Sequence, residues 1–519
     1  MRTLIFSVII ALYLFIFLLS QLSKVYLGFL YILIPLTFIA LWDVVQKKHT
    51  ILRNFPILGH LRYIFENIRP EISQYFIESD TNGAPINREY RSVVYQRSKD
   101  QLDTVPFGTK RDVYEEGYEW VSHSIFTKPF FEHHLKFSLG NQQCKQPYSM
   151  SLLNISAMSF GSLSSNAIMA LNKGAKIGNF AHNTGEGGVS PYHLKYGGDL
   201  IWQIGTGYFG ARKQNGDFCP ENFKDQASHP NIKVIELKLS QGAKPGHGGI
   251  LPAKKLTPEL AAIRKVPMGQ DVLSPPSHSA FSNTTEMLHF IQNLRELSGG
   301  KPVGIKLCVG KPSEFIDICK SILKTGIYPD YFAIDGGEGG TGAAPIEYTN
   351  SVGMPLIDGL VFAHQTLCGF DIRDKIKVLA SGKVLTSFHM VKLIALGADA
   401  CYSARAMMLA LGCIQALKCN NNTCPTGVAT QKQSLVKGLD VDLKAKRIAE
   451  FHKETLKCFG EMLSSMGLDT PCQLKPEHIF RRVDPTHVKN YAQLFPKIEK
   501  GILLKKPFPS TYKHVMSGD

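Results

Sequence analysis

The sequence predicts an α/β protein built on a (β/α)8 TIM barrel, with an N-terminal transmembrane helical hairpin ahead of it. Three observations predict this. Between about residues 150 and 430, eight short β-rich runs alternate with longer helical patterns, the arrangement of βα units around a parallel sheet. The later runs end in small or functional residues, as strands do at the C-terminal rim of a barrel. Two long uncharged apolar stretches stand at the front of the chain.

Those stretches are "TLIFSVIIALYLFIFLLS" (residues 3–20) and "VYLGFLYILIPLTFIALW" (residues 25–42), each 18 residues long and joined by Gln21–Lys24. Each is close to the ~20 residues that cross hydrocarbon. Arg2 precedes the first, and Lys47, Lys48 and Arg53 follow the second. Basic flanks favour the cytoplasmic side, so the expectation is a membrane protein whose large C-terminal body faces the cytoplasm. A signal peptide is the alternative for the first stretch, but no small-residue cleavage site separates it from its equally apolar successor. Pro35 is expected to kink the second span. The expected organisation is a two-helix anchor over residues 1–48, a helical and irregular linker packing on the barrel over 49–145, the barrel with a cysteine loop over 146–435, and a helical extension with a basic tail over 436–519. Within the linker, an amphipathic helix is expected to be broken by Pro56 and Pro70, and residues 80–145 are read as irregular.

The strand candidates are 152–159, 179–185, 200–205, 233–240, 302–309, 331–336, 377–382 and 400–405, and eight is the number that closes a (β/α)8 barrel. A doubly wound open sheet is the alternative. Net charge is +15. Such a surplus fits an anionic membrane face, an acidic substrate or a plain solvated surface; no Arg-rich arm or nucleic-acid motif is present, so no nucleic-acid partner is expected. Eleven cysteines, eight of them scattered singly, are not a disulfide framework and read as a reducing compartment.

Three patterns carry chemistry. The stretch "IDGGEGGTGAAP" (334–345) formally contains G-x-G-x-x-G after a strand, but prolines stand where a helix should begin, so it reads as a strand-end loop offering backbone N–H groups rather than a dinucleotide fingerprint. The strand ends "ASGKV" (380–384) and "YSARA" (402–406) are the seventh and eighth, where such barrels commonly hold phosphate; Lys383 and Arg405 add charge. Lys306 stands in an apolar strand, which is costly unless the lysine is paired or functional; a snorkelling surface lysine is the alternative. Finally, Cys413, Cys419 and Cys424 crowd one loop as C-x5-C-x4-C. These gaps do not suit zinc's C-x2-C pairs. Three soft thiolates with no obvious fourth suggest an iron–sulfur cluster lacking one iron, with another metal or no metal as alternatives. Asn420, Asn421, Asn422 and Thr423 offer groups that could hydrogen-bond sulfide.

The segments "NISAMSFGSLSSNA", "HNTGEGG", "QGAKPGHGGILP", "LSPPSH", "IKL", "GGTGAAP", "HQTL" and "LGCIQALKCNNNTCPTGVATQ" occur in an order that resembles the FMN-binding synthase domain of glutamate synthase, over roughly Leu152 to Gln431. The resemblance implies a barrel of the FMN-dependent oxidoreductase type, holding FMN and a 3Fe-4S cluster. It implies reduction of 2-iminoglutarate, made from 2-oxoglutarate and ammonia, to L-glutamate. Carried over by motif, Cys413, Cys419 and Cys424 would ligate the cluster. Ala157, Met158 and Ser159 would lie against the flavin ring, with Lys306 near both flavin and 2-oxo acid. Gly339, Gly340 and Thr341 would line the cofactor mouth, and Ser381, Gly382, Ala404 and Arg405 would hold the FMN phosphate. His247 stands in "KPGHGG" where the family motif carries an acidic residue, which puts the substrate in question. No cysteine-nucleophile glutaminase segment and no nicotinamide domain are recognisable. The resemblance therefore implies ammonia from solution, or glutamine through a separate amidotransferase, and an external electron-donor protein or membrane carrier. The rival readings are the same cofactors acting on another 2-oxo acid or amine, and a membrane-linked electron-transfer subunit.

Overall fold

The computed structural model describes residues 1–101, 103–129 and 135–517. The chain divides into two compact units, Met1–Pro85 and Ile86–Asp519.

In the first unit, helix Arg2–Ser20 is followed by a 3-10 turn, Lys24–Phe29, and by helix Leu30–Val45. Both spans are long and apolar enough to cross a membrane. Their few polar groups bond to each other: Tyr13 Oη and Thr37 Oγ1 lie 3.0 Å apart, and Thr37 Oγ1 donates to Leu33 O at 2.8 Å. Buried Asp43 ends the second span, accepting from Ile57 N at 2.9 Å and meeting His60 Nε2 at 2.9 Å. Of the two proline breaks expected here, only one occurs. Helix Thr50–Asn54 stops before Pro56, but helix Gly59–Ile72 runs through Pro70 and into a π-turn, Ser73–Ile77.

The second unit is a closed parallel barrel of eight strands in sequential order. The strands are β1 (Leu153–Ile155), β2 (His182–Asn183), β3 (Leu200–Ile204), β4 (Ile232–Lys238), β5 (Val303–Leu307), β6 (Tyr331–Asp335), β7 (Lys377–Ser381) and β8 (Ala400–Ser403). Each falls within its expected run except β4, which starts one residue early at Ile232, and β8 pairs with β1 through Cys401 and Leu153, which excludes the open sheet. Nearly every strand residue is buried because helices cover the outside and side chains fill the lumen, so these strands read as apolar runs rather than as alternations. A hairpin, Lys136–Leu139 with Tyr148–Ser151, puts Leu139 and Met150 into a cluster with Ala181, Ile201, Val234, Tyr331 and Ala400, closing the N-terminal mouth.

The flanks differ from expectation. Residues 88–98 form a helix, N-capped by Asn87 accepting from Tyr90 N at 3.0 Å. It looks polar in sequence because its buried face includes Arg91 and Arg97. Helix Val441–Ser465 packs on helix Ser165–Gly178 and on helix Ser387–Ala395, so the barrel's outer layer continues past residue 435. Gly174 makes this approach possible, since a Cβ there would lie 2.6 Å from Ile448 Cβ. Glu119–Val121, Ile479–Arg482 and Val488–Asn490 form a three-stranded antiparallel sheet that hydropathy alone did not suggest. The basic tail docks on the barrel: Tyr512 stacks on Phe362 and lies 3.1 Å from Thr366 Oγ1.

Candidate active site at the C-terminal rim

Strand alternation places the site. Glu236 on β4 is fully buried and accepts four hydrogen bonds from across the lumen: Asn183 Nδ2 at 2.8 Å, Gln203 Nε2 at 2.7 Å, and the hydroxyls of Tyr331 and Tyr402 at 3.0 Å each. Two residues on, toward the C-terminal rim, Lys238 faces the same way. Its register partner on β5 is Lys306. Two lysines thus stand side by side above the polar plug, each less than a tenth exposed.

Their counter-ions come from rim loops. Lys238 Nζ sits 3.0 Å from Glu186 Oε1 in the loop after β2, and 3.0 Å from Gln241 Oε1. Lys306 Nζ lies 3.7 Å from Asp335 Oδ2 at the end of β6, an oxygen that also accepts from Gly242 N at 2.7 Å. Burial acts to raise the Glu186 carboxyl, but Lys238, Lys244 and Arg264 outweigh it and hold it below the ordinary carboxylate value. Burial lowers buried Lys244, with Glu186 opposing, and brings Arg264 down to about 10. Four cations therefore surround the carboxylates of Glu186 and Asp335, a region suited to an anionic ligand.

The sequence-predicted residues lie around this centre. Ala157, Met158 and Ser159 form the loop after β1, where Met158 N donates to Asn183 O at 3.4 Å and Ser159 Oγ lies 3.1 Å from Ser162 Oγ. Gly339, Gly340 and Thr341 follow β6, and Gln241 Nε2 reaches Thr341 Oγ1 at 3.4 Å. Arg405 lies across Gly340 and donates through Nη2 to Glu338 O at 2.6 Å. Ser381 ends β7, its Oγ 3.5 Å from Ser156 Oγ; Gly382 follows with φ +152°, and Ala404 precedes the helix Arg405–Leu411. Burial, with Arg405 adding, depresses Lys383, and burial also depresses Arg405. Among the described residues neither forms an ion pair; Glu338 acts on both, and Asp335 on Arg405, only through longer-range attraction, so the two close cations at the seventh and eighth strand ends can take a further anion. That donor set fits a phosphate.

His247 lies on the loop after β4. Its Nδ1 is 2.9 Å from Gly248 O and its ring meets Tyr348 edge-on at 5.1 Å. With Glu186, Thr206, Lys238 and Gln241 it lines a cavity of about 20 Å³, room for little more than water in this closed arrangement. Sequence reasoning named Lys306 but not Lys238, Lys244, Glu186 or Arg264. Lys238 carries the same signal, a lysine inside the apolar run "VIELKLS".

The cysteine loop winds tightly through left-handed turns at Gly412, Gln415, Leu417 and Asn422. Burial pushes the Cys413 thiol up to about 12, and Cys419 and Cys424 add to the rise, so the three sulfurs are electrostatic neighbours. Burial acts to raise Cys424 too, but hydrogen bonds from Thr426, Val428 and Ala429 hold it below the ordinary thiol value. Among the described residues, only Asp100, Glu450 and Glu454 bring three ligand atoms all within 4.8 Å of one another. At least one separation among the three sulfurs therefore exceeds 4.8 Å, beyond the ~3.8 Å between ligands of a single tetrahedral thiolate-bound ion, and this donor set fits a multi-iron cluster better than one ion. Asn421 and Asn422 are engaged with neighbouring protein groups. Asn422 Oδ1 accepts from Thr430 Oγ1 at 2.9 Å and Gln431 N at 2.7 Å, its Nδ2 donates to Lys254 O at 3.0 Å, and Asn421 Oδ1 accepts from Thr423 N at 3.1 Å.

The family model described as the conserved region in glutamate synthase matches residues 112–469, which span the whole barrel and every site residue expected from the sequence. A glutamate synthase large subunit-like protein, YerD, of Bacillus subtilis is 38% identical over 494 residues, covering 87% of this chain and 93% of that one. An archaeal glutamate synthase [NADPH] of Methanocaldococcus jannaschii is 33% identical over 68% of this chain and 65% of its own length. Among solved structures, a mutant flavocytochrome b2 with pyruvate bound aligns at a TM-score of 0.43 and 11% identity, over 80% of this chain and 85% of that one. The chain belongs to the glutamate synthase family. It is an oxidoreductase of the class acting on CH–NH2 donors.

Proposed function

We propose that the protein binds FMN and a 3Fe-4S cluster and reduces 2-iminoglutarate, formed from 2-oxoglutarate and ammonia, to L-glutamate with electrons from a separate donor. The observation that carries this reading is the pair Lys238–Lys306 at the lumen mouth, next to the ion-pair-free cations Lys383 and Arg405. Bound there, FMN supplies hydride transfer and the cluster supplies one-electron delivery.

The chain's own residues do the rest. Lys383 and Arg405 take the phosphate, with Ser381, Gly382 and Ala404 bringing the backbone close. Ala157, Met158 and Ser159 give a wall for the ring, and Gly339, Gly340 and Thr341 form the mouth. Lys306, held loosely by Asp335, supplies a cation that favours a reduced, anionic ring and a 2-oxo acid carboxylate. Lys238 and Lys244 hold substrate carboxylate in competition with Glu186. His247 borders the substrate space and sets what fits there. Cys413, Cys419 and Cys424 ligate iron. The two N-terminal helices anchor the protein with its body on the cytoplasmic side. The electron donor is a protein or a membrane carrier, and ammonia arrives free or from a separate amidotransferase.

The test is anaerobic reoxidation of the chemically reduced, purified protein. Flavin absorbance recovers rapidly when 2-oxoglutarate and ammonium are added together, and glutamate forms. A reduced flavin that ignores both compounds overturns the substrate reading and turns attention to another acceptor.

A further inference from the structure

Between β4 and β5 the chain makes an excursion: a short strand, Ile250–Leu251, a 3-10 turn, Ala253–Lys255, and helix Pro258–Arg264. Its basic pair "KK" was not absorbed by any reading of the sequence. In the structure, Lys254 and Lys255 are bonded to the cysteine loop. Asn422, two residues before Cys424, donates to Lys254 O at 3.0 Å. Lys255 Nζ donates to Ala429 O and to Ser162 O at 3.2 Å each.

Lys255 is only 3% exposed. An ammonium so deep is costly unless an anion answers it. Lys238 and Lys306 have Glu186 and Asp335; among the described residues Lys255 forms no ion pair, and its named partners are two neutral carbonyls. Burial lowers it to about 8, with Cys419 and Cys424 opposing. The contact with Ala429 O seats the ammonium on the cysteine loop, so an anionic group held by that loop would answer it.

We infer that Lys255 is the buried counter-charge of the iron–sulfur group held by Cys413, Cys419 and Cys424, and that it raises that group's reduction potential. The inference rests on the cluster reading above. Ferric iron, inorganic sulfide and three thiolates together carry net negative charge. Reduction adds one electron from the donor and makes the group more negative, so a fixed adjacent cation stabilises the reduced form more than the oxidised form. Lys255 is a positioning and tuning residue, distinct from the ligands. Its carbonyl contacts also pin the loop against the barrel.

The experiment is a redox titration of the purified full-length protein with dithionite under mediators, followed by low-temperature EPR, with iron and sulfide assayed on every sample. Wild type is compared with Lys255→Met and Lys255→Arg. The expected result is wild-type iron in all three, a midpoint potential shifted negative in the methionine variant, and a wild-type midpoint in the arginine variant. An iron-replete methionine variant with the wild-type midpoint overturns the inference while leaving the cluster reading intact. Absence of iron from the wild type overturns the cluster reading itself. If the methionine variant comes without iron, Lys255→Gln and the arginine variant decide. Iron retained at the wild-type midpoint with arginine but lost or shifted negative with glutamine upholds a charge role. A glutamine variant at the wild-type midpoint, or an arginine variant also without iron, overturns it.

Discussion

Replacing Glu236 by leucine should cost more stability than almost any other single change in the barrel. The two side chains are similar in bulk, so the perturbation removes acceptors rather than volume. Asn183, Gln203, Tyr331 and Tyr402 all aim donors at this carboxylate, at 2.7–3.0 Å. A buried donor left without an acceptor costs roughly 1–3 kcal/mol, so four of them amount to roughly 4–12 kcal/mol. That spans much of the ~5–15 kcal/mol that holds a typical domain together. Glu236→Gln is the graded control. Its carbonyl can keep the Asn183 and Gln203 bonds, and its amide can face the two tyrosine hydroxyls, which are able to accept; the expected loss is about 1–3 kcal/mol. A chain of this size need not unfold in two states, so the readout is the ordering of apparent urea midpoints by far-UV circular dichroism at pH 8. The expected order is wild type, then glutamine, then leucine, with leucine barely accumulating as folded protein. A leucine variant with the wild-type midpoint would show that the four donors find other acceptors and would refute the reasoning.

Other changes separate the remaining parts of the account. Cys419→Ala should abolish the visible absorbance of the cluster, and unchanged iron content would sink the ligand assignment. Gly242→Ala would put a Cβ 1.7 Å from Gly336 O, forcing the loops after β4 and β6 apart; flavin content should fall, with a stability loss of about 1–3 kcal/mol from overpacking, and full flavin retention would count against a cofactor mouth between these loops. Burial depresses His182, His389 and His452 to about 3, and His278 and His364 to about 4. Their unfolded values lie near 6.5, so below that pH the unfolded chain binds more protons and stability falls by up to ~1.4 kcal/mol per pH unit for each such histidine. The thermal midpoint should be level from pH 7 to 8 and drop steadily from 6.5 toward 4; a level midpoint down to pH 5 would contradict the buried neutral rings. Removing residues 1–48 should yield a soluble flavoprotein, and a truncated protein that stays with membranes would reveal a second attachment.

The barrel was legible because its signal is local. All but the two-residue β2 are short, mostly apolar runs buried on both faces, and most are punctuated by glycine or a charged rim residue. The cysteine loop was legible because chemistry requires its thiols in one short segment. The lumen cations were only half legible. Lys306 and Lys238 obey the same rule, yet their pairing is a matter of register between β5 and β4, which no single strand reveals. Glu186, Lys244 and Arg264 come from separate loops and one helix end, and only closure of the barrel brings their charges together. Helix 88–98 was hidden for the opposite reason: buried Arg91 donates to Ile86 O and buried Arg97 to Asp103 and Ser387, so hydropathy reports a surface segment where the structure has an inner face. The small sheet of Glu119–Val121 with Ile479–Arg482 joins strands some 360 residues apart and leaves no local trace.

The seam between β8 and β1 also fixes an order of events. Leu153 waits for Cys401, about 250 residues later, and the apolar face of helix Ser165–Gly178 waits longer still for helix Val441–Ser465. As the chain leaves the ribosome, the first strand and helix of the barrel are made early but cannot be shielded until the last are made. For most of synthesis the nascent barrel is an open curl with one unsatisfied edge. A ribosome that stalls before Val441 releases a chain with Gly174 and its neighbours bare.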